Sequence, residues 1–233
     1  MYHIEESRTP VIVSAARTAT GRFGGALSKI NCPELGAVCA REAMKRAGIT
    51  GDMVDEVVFG THFQAGIGAN SARQVALGAG CPEEVPAWTV NKNCGTGLKA
   101  INITAQQIML EEGDIYISGG CDTMSRIPYL SISHRFGAYM GPDTLQDGML
   151  YDGLVDPFMH YHMGITAENV AKKCGITREQ MDEFALASHR PPPTPANSKT
   201  TLCPWKSRAR KASLCSTRMR LFALAQSWRI FRG

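Results

Sequence analysis

The chain has 233 residues, 44% hydrophobic and 20% charged, with a formal net charge of +4; this is globular composition, at the length of one large domain or two small ones. The charge is unevenly spread: residues 190–233 hold ten basic residues and no acidic one, so residues 1–189 carry 15 basic against 21 acidic residues, a net charge of −6. These figures exclude a nucleic-acid reader, whose positive charge must be organised on a fold, and the absence of any run of about 18 apolar residues excludes a transmembrane helix. The stretch from Met1 to Pro10 is polar and acidic, without the basic start and apolar run of a secretory signal, so a cytoplasmic protein is expected.

In chain order, Pro10–Ala15 is a short apolar run that reads as a buried strand, and the glycine- and arginine-bearing Arg17–Gly25 as a loop. Asn31, followed three residues later by Glu34, marks a helix start with a capping-box spacing, and Pro33 is tolerated in the first turn. That helix is expected to run to Ala47 and stop at Gly48, with Gly36, Cys39, Ala40, Ala43 and Ala47 on a small-residue face that permits close packing. A second strand follows at Asp55–Gly60, a glycine loop turning into a helix at Gly66–Ala79, and a third strand at Pro86–Val90.

Asn91–Lys99 joins that strand to a helix whose expected buried face is Leu98, Ile101, Ala105, Ile108 and Met109, ended by Gly113; Asp114–Gly120 is a strong central strand. Strand, helix and strand in this order imply a layered α/β arrangement. Residues 121–160 read as an excursion over the surface, followed by helices at Ile165–Lys173 and from Thr177, capped with Gln180, to Ser188. After the proline run that begins at Pro191 the tail is irregular, apart from a helical pattern over Met219–Ile230. The abrupt loss of acidic residues beside that run is also what a reading-frame change near Arg190 produces.

Of the eight cysteines, none in the body falls in a metal-finger spacing, so no metal site is expected and most read as small buried hydrophobes. Cys94 differs, because it stands where a strand ends and a helix begins. Unpaired amides at a helix start favour a thiolate and can stabilise an oxyanion. Gly95 and Gly97 leave the approach open and permit a sharp turn, which is the layout of a nucleophile elbow built on Cys. By spacing alone, a lone Cys-Gly-x-Gly is a weak signal, and a structural Cys beside a turn is the commoner reading.

The segment NKNCGTGLKA at Asn91–Ala100 resembles the nucleophile segment of the thiolases, the acetyl-CoA acetyltransferase and 3-ketoacyl-CoA thiolase family. The likeness extends to VIVSAARTATGRFGG at Val11–Gly25, AGIGANSARQVALGAG at Ala65–Gly80, GGCDTMSRIP at Gly119–Pro128, DGLVDPF at Asp152–Phe158 and HMGITAENV at His162–Val170. It covers residue 10 to about residue 189 and stops near Arg190. It implies the N-terminal half of a thiolase-like layered α/β fold with part of a substrate-loop domain: a core over residues 1–120, an excursion over 121–189 and a tail over 190–233.

The resemblance further implies acyl transfer through an acyl-enzyme on Cys94, in thiolysis or Claisen condensation. Coenzyme A thioesters are then the substrates, with no permanently bound cofactor. His162 and Met163 are implied to lie near the thioester end of the coenzyme A pocket, and Arg135 is a candidate for its phosphates. Arg17 and Arg73, in glycine-rich loops, are expected to pair with carboxylates across the subunit in preference to binding phosphate. Thr96 stands where Ser is common, Asn93 where a small or apolar residue is usual, and Cys121-Asp122 follows the double glycine where Glu is common. Family members are about twice as long as this body, and their second half supplies a His in a Gly-His-Pro segment and a second Cys in a Cys-x-Gly segment, neither of which occurs here. The expectation is therefore a chain with little or no turnover. It would associate as a homo-oligomer or with another chain through the N-terminal half. The alternatives are a non-catalytic fragment that binds a full-length homologue, and a ketoacyl-synthase relative.

Overall fold

The computed structural model describes residues 9–189 and 225–229. These divide into two compact units, one of residues up to Ile127 together with a strand near the C-terminus, the other beginning at Pro128. The first unit alternates strands and helices: β1 (Ile12–Ala16), α1 (Cys32–Ala47), β2 (Glu56–Gly60), α2 (Ser71–Ala79), β3 (Ala87–Val90), α3 (Thr96–Met109) and β4 (Ile115–Gly120). Strands β2, β3 and β4 are parallel, as helix crossovers require, and their register aligns Gly60 with both Val90 and Gly120. The three strands therefore end at one level.

Between β1 and β4 lies β7 (Ala225–Arg229), antiparallel to both, which completes the order β1-β7-β4-β2-β3. A strand thus stands inside the span where helical periodicity predicted Met219–Ile230 to be a helix, because the gap between β1 and β4 offers these residues two rows of backbone partners. The other residues of the tail lie outside those described.

Local chemistry explains α1. The Asn31 side chain accepts from the Cys32 amide at 3.1 Å, the Glu34 carboxylate accepts from the Asn31 amide at 3.4 Å, and Gly48 ends the helix in the left-handed region at φ 69°. Its small face, with Gly36, Cys39, Ala40 and Ala43 buried, packs over Phe59, Val75 and Ile117 in the core.

Helix α3 departs from the apolar-face expectation. Its buried residues are Thr96, Ala100, Thr104 and Ile108, whereas Leu98 is 67% exposed and Met109 is exposed too. Ile108 is buried as expected, but at the helix start close approach decides the orientation: Thr96 and Gly97, not Leu98, rest on the ends of β2 and β4. Nor does Gly113 end α3, which stops at Met109; Gly113 lies where a Cβ would meet the Tyr116 hydroxyl at 2.6 Å.

The second unit opens with a hairpin of β5 (Tyr129–Leu130) and β6 (Gln146–Asp147). Within it, His134 Nδ1 stands 2.6 Å from Asp143, whose carboxylate also accepts from the Ser133 hydroxyl at 2.7 Å. The hydroxyl of Ser133, the amide of Thr144 and His134 hold the Asp143 carboxyl below its ordinary value. Helices α4 (Met163–Cys174) and α5 (Arg178–His189) follow, the second capped by the expected Thr177–Gln180 pair at 2.8 and 3.3 Å. No residue of α4 or α5 is buried.

Candidate active site

The site sits where β2, β3 and β4 end. Gly60, at the end of β2, lies against Thr96 so closely that a Cβ would meet the Thr96 methyl and, at 3.0 Å, its carbonyl carbon. Gly120, at the end of β4, faces Gly97, where a Cβ would come within 3.2 Å of the Gly97 Cα. The first turn of α3 therefore rides on the strand ends, with only the Thr96 side chain between it and β2 and none between it and β4, and the preceding segment, with Cys94, is carried above the strand ends.

The turn is pinned from within. Asn93 takes the left-handed conformation at φ 48°, which Asn tolerates better than most residues. Its amide donates to Asn91 Oδ1 at 3.0 Å, and its carbonyl accepts from both the amide (3.1 Å) and the hydroxyl of Thr96. The Thr96 hydroxyl also accepts from the Lys92 amide at 2.7 Å. The Gly95 amide donates to the Lys92 carbonyl at 3.1 Å, so it is engaged in closing the turn. Cys94 is exposed, whereas Cys32, Cys39, Cys81 and Cys121 are buried; Cys174 is the other exposed thiol among the described residues.

The neighbouring strand ends are tied to this turn. The Asn91 side-chain amide donates to the His62 carbonyl at 3.0 Å, and the amides of His62 and Phe63 donate to Asp122 Oδ1 at 3.1 and 3.0 Å. Burial raises the Asp122 carboxyl above its ordinary value, against those two amides and His62, which lower it. Behind it, Cys121 is pushed well up by the hydrogen bond its thiol donates to Cys32 and by burial. Beneath the loops, hydroxyls of Thr61 and Ser71 meet at 2.6 Å, and those of Ser71 and Thr89 at 3.1 Å, fastening the start of α2 to β2 and β3. A cavity of about 40 Å³ walled by Cys39, Cys121 and Asp122 has room for a water but not for an acyl-thioester.

Cys94, Gly95 and Gly97 thus come together in one turn, with Gly97 in the added role of seating the helix. His162 and Met163 belong to the second unit, at the start of α4, where His162 Nδ1 accepts from the Gly164 amide at 3.0 Å and caps the helix. Among the described residues Arg73 meets backbone carbonyls rather than a carboxylate: its guanidinium donates to the Val85 and Glu83 carbonyls at 2.7 and 2.8 Å, closing the loop after α2. Arg17 donates to the Thr18 carbonyl at 3.3 Å. Sequence reasoning overlooked Asn91, Asp122 and the stapling role of Thr96; their signal is position, each standing within a few residues of a strand's last residue.

An α/β unit with a cysteine on a strand-to-helix turn at the ends of parallel strands is the architecture that the sequence motifs led one to expect. The chain belongs to the thiolase family, matching its N-terminal domain over residues 10–200. It is 53% identical over 178 residues to an acetyl-CoA acetyltransferase of Cupriavidus necator, an alignment that covers 76% of this chain and 45% of that protein. It is 47% identical over 180 residues to a probable acetyl-CoA acyltransferase of Staphylococcus aureus, covering 77% of this chain and 46% of the relative. The solved structure of an acetyl-CoA acetyltransferase from Syntrophomonas wolfei superposes with a TM-score of 0.74 at 41% identity, covering 77% of this chain and 46% of that one. The chain spans about half the length of the curated relatives it matches. No helix among the described residues is long and apolar enough to cross a membrane.

Proposed function

We propose that Cys94 accepts an acyl group from an acyl-CoA thioester. The observation that carries this reading is the placement of one exposed thiol on a rigid strand-to-helix turn at the C-terminal ends of parallel strands, where open α/β sheets bind their ligands. The names of the relatives support the substrate class. In the step, the Cys94 thiol gives up its proton, its sulfur bonds to the thioester carbonyl carbon, and the bond from that carbon to the coenzyme A sulfur breaks. Coenzyme A leaves as a thiolate that takes up a proton. The acyl group stays activated as a new thioester, ready for thiolysis or for attack by an enolate. His162 and Met163 would line the thioester end of the pocket, and no permanently bound cofactor is required.

The second half-reaction needs a strong base and an oxyanion hole. The sequence has no Gly-His-Pro and no Cys-x-Gly segment to supply them. The reading is therefore slow acylation of Cys94 with little turnover by this chain alone. Incubating the purified chain with acetyl-CoA and mapping acetylated peptides tests it. Acetyl on the Cys94 peptide, absent in Cys94→Ala and faster than on Cys174, is the expected result; equal labelling of the two thiols overturns the reading. Association with a full-length homologue is a second reading, favoured by the aliphatic surface of Leu98 and Leu110 left open along α3. Co-elution with a full-length acetyl-CoA acetyltransferase in gel filtration tests that one.

A further inference from the structure

Asn91 is the first residue after β3, His62 the second after β2 and Asp122 the second after β4, and strand register brings these positions to one level. One side chain joins the loop after β2 to the nucleophile turn, which is itself the loop after β3. Asn91 Nδ2 donates to the His62 carbonyl and Asn91 Oδ1 accepts from the Asn93 amide, both at 3.0 Å. At the far end, Asp122 holds the His62 and Phe63 amides from the end of β4. We propose that Asn91 is a positioning residue for Cys94, fixing the left-handed Asn93 and through it the direction of the thiol, with Asp122 as the anchor of the same brace. The inference rests on the reading of Cys94 as the acyl acceptor.

The physical case is over-determination. A non-glycine residue in the left-handed region persists when its surroundings hold it there. Asn93 is held on both sides, by Asn91 at its amide and by Thr96 at its carbonyl. Removing the Asn91 side chain frees the amide side only. The thiol stays exposed but loses its fixed bearing, and a displacement of about 1 Å from the attack geometry costs on the order of 100-fold in rate. Alkylation by a small reagent needs access and the thiolate but no fixed bearing of the sulfur. A positioning role and a merely structural one thus separate in the ratio of the two reactions.

The test compares wild type, Asn91→Ala and Asn91→Asp as full-length chains. Acetylation by acetyl-CoA and alkylation by iodoacetamide are read per cysteine by peptide mass spectrometry. Asn91→Ala is expected to slow acetylation of Cys94 by at least about 10-fold while its alkylation stays within about 2-fold. Cys174 is unchanged and the four buried cysteines stay protected. Asn91→Asp keeps the acceptor for the Asn93 amide and loses the donor to His62, so its acetylation rate falls between the other two. Unchanged acetylation in Asn91→Ala overturns the proposal. Should Asn91→Ala expose the buried cysteines, Asn91→Asp decides: slowed acetylation supports the brace, and a wild-type rate overturns it. Failure of wild-type Cys94 to acetylate faster than Cys174 is a separate result, seen before any variant is made, and it removes the acyl-acceptor reading together with the brace built on it.

Discussion

Gly60→Ala tests the close seat of α3 on the sheet. The new methyl meets the Thr96 methyl and, at 3.0 and 3.1 Å, the Thr96 carbonyl carbon and oxygen. Overpacking costs about 1–3 kcal/mol, and the upper end applies because helix backbone cannot rotate away. Replacing Gly by Ala also returns about 0.4–1 kcal/mol through the unfolded chain, leaving a net loss of about 2 kcal/mol. The buried thiols of Cys32, Cys39, Cys81 and Cys121 report opening of this unit, and their labelling under native conditions is expected to accelerate about 30-fold. A double-mutant cycle gives the decisive reading. Thr96→Ser alone costs about 1 kcal/mol for one buried methyl, but in the Gly60→Ala background it relieves the worst contact, so coupling of about 1–2 kcal/mol is expected. Acceleration below about 3-fold, or additivity within about 0.3 kcal/mol, refutes the steric account.

Two further outcomes follow from local chemistry. The Tyr116 phenol is pushed up to about 12, first by burial and then by Asp55, Glu56, Glu112 and Asp114; its contribution to stability is complete below pH 10.0, the ordinary value, and is lost as pH rises towards the folded value. An ultraviolet titration should show a late-ionising tyrosine that disappears in Tyr116→Phe. Asn31→Ala removes the acceptor of the Cys32 amide and half of the capping box, which costs about 1 kcal/mol and should lower the urea midpoint of Cys32 and Cys39 protection; a midpoint unchanged at constant slope refutes the role.

Legibility followed the range of the interactions. Helix α1 was readable to within a residue because its determinants, Asn31, Glu34 and Gly48, are its own neighbours. The turn around Cys94 was readable for the same reason, as a short glycine-bearing segment between an apolar run and a periodic one. The buried face of α3 was readable only in part: Ile108 is buried as its periodicity suggests, whereas Leu98 and Met109 are exposed and contact with Gly60, distant in sequence, turns Thr96 inward. The Asn91–His62–Asp122 brace was hidden too: its partners are 29 and 60 positions apart, and only the register of three parallel strands makes them neighbours. Arg73 shows a related failure, since charge suggests a carboxylate while the loop it closes offers carbonyls.

The close seat of α3 also bears on how the molecule breathes. Catalytic loops usually open at small free-energy cost, independently of the core. Here the first turn of α3, which follows Cys94 directly, rests on β2 through Thr96 and Gly60 and on β4 through Gly97 and Gly120. The Thr96 amide, buried and bonded to the Asn93 carbonyl, should therefore exchange with solvent deuterium as late as those of the central strands.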